Sequence, residues 1–131
     1  MTDWPGNISA ITVFAEDLAA CKTFYIEVFG LPVYYEDDAS AVFQFGNTLI
    51  NLLTASEAPD LIAPAVPGGA DAGPRQQFTL DVDDVDAAAA ELATHGVALL
   101  NGPLDRPWGI RTAAFRDPAG TVWEIAAPLK K

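Results

Sequence analysis

An internal repeat constrains this chain more than any other feature of its sequence. Ile11-Thr12-Val13-Phe14-Ala15-Glu16-Asp17-Leu18 aligns with Phe78-Thr79-Leu80-Asp81-Val82-Asp83-Asp84-Val85. Each segment predicts a strand with apolar residues at every second position, closing on an aspartate. Asp17 and Asp84 suit helix N-caps, because a short carboxylate accepts the free amide protons of a first turn. Apolar helix faces follow: Leu18, Cys21, Phe24, Tyr25, Val28 and Phe29 in the first copy, Val85, Ala88, Ala89 and Leu92 in the second. Both patterns stop at a glycine, Gly30 and Gly96, as a left-handed residue past a helix end requires.

Short strands come next in each copy. In the first they are expected near residues 32–36, 41–45 and 48–53, with a tight turn at Gly46-Asn47. In the second they are expected near 98–100, 112–116 and 121–126, with a turn at Asp117-Pro118-Ala119-Gly120. Residues 56–75 are rich in Pro, Gly and Ala and show no period, which predicts a linker with one helical turn near 59–62. The reading is a single α+β domain over residues 1–131. It consists of two tandem βαβββ modules, about 8–55 and 76–127, whose mixed sheets form a cup around a cavity.

Composition narrows the function classes. Half of the 131 residues are hydrophobic and 19% are charged, an ordinary soluble composition. Cys21 is the single cysteine, which excludes an internal disulfide and a multi-cysteine metal cluster. The start, Met1-Thr2-Asp3-Trp4-Pro5-Gly6, has neither a basic nor an apolar stretch, so no secretory leader is expected. No apolar run approaches the roughly 18–20 residues that span a bilayer, and a cytoplasmic location is the default. The formal charge of −11 disfavours nucleic acid and anionic membranes as partners and favours cationic ligands. The same excess also serves solubility, and the acids are dispersed apart from Glu36-Asp37-Asp38 and residues 81–86.

Period-two alternation sorts the strand residues by face. Ile11 and Val13 should face the first helix, leaving Ala10, Thr12 and Phe14 on the other side. Phe78, Leu80 and Val82 should face the second helix, leaving Gln77, Thr79 and Asp81. On the last strands, Ile50 and Leu52 oppose Leu49, Asn51 and Leu53, while Trp123 and Ile125 oppose Val122, Glu124 and Ala126. Ala10, Thr12, Asn51, Gln77, Thr79 and Glu124 therefore fall away from the helices. A few polar groups on apolar walls are the usual make-up of a small-molecule site.

Asp17-Leu18 with Phe24-Tyr25, Phe29-Gly30-Leu31, Asp117-Pro118-Ala119-Gly120 and Trp123-Glu124-Ile125 together resemble the glyoxalase/bleomycin resistance protein/dioxygenase superfamily, also called vicinal oxygen chelate proteins. The resemblance runs over roughly residues 8–127 and implies paired modules, a cupped sheet and a homodimer. It also implies, for the superfamily's enzymes, a divalent metal that chelates two adjacent substrate oxygens, with His, Glu or Gln ligands on the first and last strand of each module. Those four positions fall on Ala10, Asn51, Gln77 and Glu124. Alanine has no donor atom, Asn51 offers a neutral carbonyl, and no histidine lies on these strands. Gln77 and Glu124 alone make a weak site for Zn, Ni or Fe.

Glu124 is the one ionisable group expected within the cup. It reads as a general base, as a counter-charge for a cationic ligand, as a relic of a metal site, or as a structural carboxylate bonded to Gln77 or a backbone amide. His95, the only histidine, precedes Gly96 and suits a helix C-terminus. Cys21 reads as a small buried core residue, without a His partner that would support nucleophilic catalysis. Trp108 lies in the loop 105–111, resembles the segment bordering the groove of drug-binding relatives, and reads either as a stacking platform or as a packing residue. Arg111 reads as an anchor for a ligand carboxylate or as the partner of a surface acid. Phe43 and Phe45 share one face and read either as core or as pocket lining.

The expected function is metal-free binding of a small, cationic or aromatic molecule such as an antibiotic, through Thr12, Phe43, Phe45, Asn51, Gln77, Thr79, Trp108, Arg111 and Glu124, with no cofactor. The alternative is a metal-dependent glyoxalase-, isomerase- or dioxygenase-like enzyme acting through Gln77 and Glu124, with a divalent metal as its cofactor. A metal-free epimerase- or cyclase-like activity with Glu124 as catalytic base is a third reading.

Overall fold

Each copy of the repeat folds as a four-stranded mixed sheet with one helix against one face. The computed structural model describes residues 3–129. Met1 and Thr2, the first residues of the start read for a leader, lie outside the described residues, as do Lys130 and Lys131. The chain divides into two compact units, Met1–Ala70 and Asp71–Lys131.

Module one contains β1 (Ala10–Ala15), α1 (Leu18–Glu27), β2 (Tyr35–Glu36), β3 (Ser40–Phe45) and β4 (Thr48–Thr54), in the sheet order β1-β4-β3-β2. The first and last strands pair in parallel and the remaining neighbours are antiparallel. Asp17 caps α1 by accepting the Ala20 amide at 3.0 Å. The buried face of α1 sets Tyr25, fully buried, against Phe43 at 5.2 Å and edge-on to Phe29 at 5.1 Å. Ile50 and Leu52 complete that core from β4. β2 is shorter than the stretch expected at 32–36, because Pro32 cannot donate to a ladder and regular pairing begins only at Tyr35. An ion pair between Lys22 and Glu36 joins α1 to this short strand. After β4 a 3₁₀ turn at Ala55–Glu57 leads into α2 (Pro59–Ile62), the helical turn expected within the linker.

Module two repeats the plan with β5 (Gln77–Asp81), α3 (Val85–Thr94), β6 (Leu99–Asp105), β7 (Ile110–Arg116) and β8 (Val122–Pro128), in the order β5-β8-β7-β6. Asp84 caps α3 through the Ala87 amide at 3.1 Å. The helix closes as a Schellman turn: Gly96 N donates to Ala93 O, Val97 N to Leu92 O, and Gly96 adopts φ +74°. Trp123 and Ile125 are buried beneath α3. The loop from Asp117 to Gly120 is tied to that core. The buried Asp117 carboxylate accepts from Ala119 N at 2.9 Å, Thr121 N at 3.0 Å and Trp123 Nε1 at 3.1 Å.

β6 differs most from expectation. Residues 98–100 were the predicted strand, yet pairing continues to Asp105 despite Pro103. Register shifts between Leu99 and Asn101 and between Asn101 and Leu104 absorb the proline in a bulge. Gly102 has φ +86°, and a Cβ there would stand 2.4 Å from the backbone oxygen of Thr112. Only glycine fits so close an approach in that conformation. Among the described residues no helix is long and apolar enough to cross a membrane.

Gly102→Ala combines a left-handed backbone with a clash against main chain, and should destabilise the protein by about 2 kcal/mol or more. Urea unfolding checks this; a loss under about 0.5 kcal/mol would show that the bulge can relax.

Candidate functional site

The parallel ladder of each module brings one polar pair together on the sheet face away from the helix. In module one, Thr12 lies opposite Asn51, whose Nδ2 donates to Thr12 Oγ1 at 3.4 Å. In module two, Thr79 lies opposite Glu124 and donates its hydroxyl to Glu124 Oε1 at 3.0 Å. Thr12 and Thr79 are repeat equivalents, and so are Asn51 and Glu124. Glu124 therefore takes Thr79 as its partner and not Gln77, which sits opposite Val122. Asn51 Oδ1 is buried and accepts no hydrogen bond among the described residues. Turning the amide over would only exchange a stranded oxygen for a stranded NH₂ group, since the Thr12 hydroxyl can bond either end.

Strand parity separates the other residues expected to bind ligand. Phe43 and Phe45 lie opposite Ile50 and Thr48, on the α1 side, where both meet Tyr25. They belong to the helix–sheet core and not to the face that carries Thr12 and Asn51. Arg111 also lies on the helix side. It lies opposite Ala127, forms a bidentate pair with Asp86 of α3 at 3.0 Å, and reaches Asp105 at 2.8 Å. Hydrogen bonds to Asp86 and then Asp105 raise its pKa further above the ordinary arginine value. A surface cleft of about 250 Å³ lies here, lined by Asp83, Asp84, Asp86, Asp105 and Arg111 among others. Arg111 is thus a clamp between α3 and the β6–β7 hairpin, directed away from Glu124.

Two cations lie on the Glu124 side: Arg116, exposed and opposite Val122, and Arg106, which the sequence pattern does not single out. Arg106 Nε donates to Thr112 Oγ1 at 2.9 Å and its Nη2 to Asn101 Oδ1 at 3.2 Å. Thr112 lies opposite Ala126 and Asn101 opposite Ala114, both on the Glu124 face. Trp108 stands at the tip of this hairpin, 68% exposed, with the Arg106 guanidinium 5.9 Å from its ring centre. His95 is the exposed C-cap of α3 and Cys21 is buried under α1, as their positions implied.

Tyr35 was also missed. It lies opposite Val42, which in turn lies opposite Asn51, so it extends the helix-free row of module one. Its hydroxyl donates to Asp37 Oδ2 at 3.1 Å. That bond and the nearby charge raise the Tyr35 pKa above its ordinary value of 10.0. Bonds from the Ala39 amide and the Ser40 hydroxyl, helped by Tyr35, hold the Asp37 carboxyl below 3.8.

A family model for the glyoxalase/bleomycin resistance protein/dioxygenase superfamily matches residues 7–125. The chain belongs to that superfamily. A superfamily protein from Nocardioides shares its fold with TM-score 0.85 at 23% identity, over 98% of this chain and 87% of that one. A lactoylglutathione lyase from Agrobacterium tumefaciens is 26% identical, with TM-score 0.74 over 93% of each chain. An antibiotic-binding protein from Streptomyces sp. CB03234 is also 26% identical, with TM-score 0.74 over 98% of this chain and 100% of that one. No curated protein sequence matches the chain.

The superfamily's metal positions meet a poor donor set here. Ala10 supplies none, Asn51 offers only a neutral amide oxygen, Gln77 is an exposed amide, and Glu124 is the one carboxylate. No group of three or more His, Cys, Asp or Glu among the described residues is arranged to hold a metal. These residues do not fit a tightly held transition metal, which takes three or four strong ligands.

The Asp37 turn gives a pH test. A carboxyl whose folded pKa is depressed stabilises the fold above its unfolded pKa, and that contribution is lost as pH falls through the folded value. Asp37→Asn should therefore lower Tm at neutral pH, with the gap from wild type closing below pH 3.8. Circular-dichroism melts across pH 2–7 check the sign; a gap constant with pH would remove the carboxylate charge as its cause.

Proposed function

We propose that this superfamily member is a metal-free small-molecule-binding protein that sequesters an aromatic compound bearing hydrogen-bond donors, working as a cytoplasmic homodimer. The observation that carries the proposal is Asn51 Oδ1, a buried acceptor with no partner among the described residues. Leaving such a group unmade costs roughly 1–3 kcal/mol, a cost explained if a ligand supplies the missing donor. Module two carries its own acceptor at the equivalent position: Glu124, held in place by Thr79, can meet an amine. The net charge of −11 favours approach of a ligand carrying positive charge. The likeness to an antibiotic-binding Streptomyces protein supports the same class.

The alternative, a metal-dependent lyase, isomerase or dioxygenase acting through Gln77 and Glu124, draws on the fold and on the likeness to a lactoylglutathione lyase. The donor set speaks against it. A metal-free reaction with Glu124 as base would use a carboxylate whose Oε1 already accepts the Thr79 hydroxyl.

Asn51→Leu is the decisive variant. Removing the stranded amide from this part-buried position should raise the Tm of the free protein by about 3 °C or more. The same change should abolish the stabilisation that aromatic antibiotics give wild type in a thermal-shift screen. A lowered Tm, together with no stabilisation of wild type by any compound, overturns the proposal. Elemental analysis of protein purified without chelator should find transition metal well below one equivalent; a full equivalent lost in Glu124→Ala would restore the enzymatic reading.

A further inference from the structure

Arg106 is fixed by the fold through neutral partners in an acidic chain. There are 18 acidic residues against 7 basic ones. Arg111 is matched by two carboxylates and Lys22 by one. Arg106 instead bonds two neutral oxygens, Thr112 Oγ1 and Asn101 Oδ1, and has no carboxylate partner among the described residues. Neutral partners fix a guanidinium without offsetting its charge. Thr112 is almost fully buried, so its hydroxyl is a firm anchor point for Nε.

The geometry also leaves the useful edge of the guanidinium unoccupied. Nε and Nη2 form one fork, and that fork is spent on Thr112 and Asn101. The end-on fork, made by Nη1 and the second proton of Nη2, has no acceptor among the described residues. Two parallel N–H groups of this kind match the two oxygens of a carboxylate or a similar oxyanion. Beside them stands Trp108, largely exposed, with Arg106 at its ring. An indole in that position offers a flat surface to a ring carried by the same ligand.

We propose that Arg106 and Trp108 form an oxyanion-plus-ring subsite on the helix-free side of module two, selecting ligands that carry a carboxylate or similar oxyanion on an aromatic system. The inference rests on the proposed binding function and adds a requirement to it. An amine meeting Glu124 and an oxyanion meeting Arg106 are compatible within one amphoteric ligand. The arginine that the sequence suggested for a ligand carboxylate, Arg111, is already saturated, and Arg106 takes that role.

The test uses three probes of one shape: 2-naphthoate, neutral 2-naphthamide and 2-naphthylmethylammonium. Binding is followed on the intact protein by nuclear magnetic resonance, at the Trp108 indole N–H, assigned with Trp108→Phe, and the Arg106 Nε–H. Naphthoate should shift both signals saturably and bind about tenfold or more tightly than naphthamide, the advantage of one charge-assisted pair. Arg106→Gln should reduce naphthoate to the level of the amide, and Arg106→Lys, which keeps charge but loses the fork, should recover only part of the preference. Equal binding of acid and amide by wild type overturns the anchor, and that comparison needs no variant to fold. A preference for the acid that persists in Arg106→Gln overturns it as well. Binding of the ammonium probe alone overturns the anchor while leaving the proposed function standing. Failure of every probe overturns the subsite, and the Asn51→Leu melting result then decides separately whether the binding function falls with it.

Discussion

Each sheet of this protein buries one face beneath a single helix, and a strand's period of two sends its alternate residues to the other face. Ile50 and Leu52 must reach the core under α1, so Asn51 between them has to point the other way. Trp123 and Ile125 must reach the core under α3, so Glu124 has to do the same. Parallel pairing with the first strand of each module then sets a threonine beside each of these polar groups. The chemistry on these faces is therefore a consequence of core packing. Slipping either last strand by one residue would place the amide or the carboxylate in the core and turn a Leu, Ile or Trp outward, at a cost no hydrogen bond could offset.

This is why so much was legible in the sequence. The repeat, both aspartate caps, both helices, the turns at Gly46 and Asp117, and the outward placement of Thr12, Asn51, Thr79 and Glu124 all follow from local pattern and period. The same parity also assigns Phe43 and Phe45 to the α1 side once β3 is paired with β4, and their aromatic contacts follow from it. What could not be read is the behaviour of the 99–111 hairpin. Pro103 there argues against a continuous strand, and a bulge at Gly102 resets the alternation, so counting by twos from β7 says nothing reliable about Arg106. Arg106 and Arg111 look interchangeable in a one-dimensional pattern. Only their partners, neutral oxygens for one and carboxylates for the other, distinguish them.

Buried polar groups divide by whether the fold itself satisfies them. Asp117 is buried, but two backbone amides and the Trp123 indole satisfy it, so it reads as structure: it ties a turn to the core. Thr112 is buried and bonded by Arg106. Asn51 differs, because one end of its amide meets only a long contact to Thr12 and the other meets nothing among the described residues. A leucine of nearly the same shape would serve the fold better at that position. An unpaired group kept where an apolar isostere would fit points to a demand made by something other than folding.

The two modules answer that demand differently. The repeat supplies a threonine in both, yet its partner is a neutral amide in one and a carboxylate in the other. Had both positions carried carboxylates, each module would favour positive charge, as the net charge of −11 already does. Had both carried amides, neither would discriminate between charged and neutral ligands. A repeat that keeps the scaffold and varies the charge gives each module's helix-free face its own chemistry, hydrogen bonding alone in one and charge in the other. Arg106 extends the contrast within module two, where a cation with neutral partners and an anion with a hydroxyl partner share one face without forming an ion pair. Had they paired, each would have satisfied the other and neither would hold charge for a ligand. Separate neutral partners keep both charges fixed and available, and that arrangement is what a binding face for an amphoteric molecule requires.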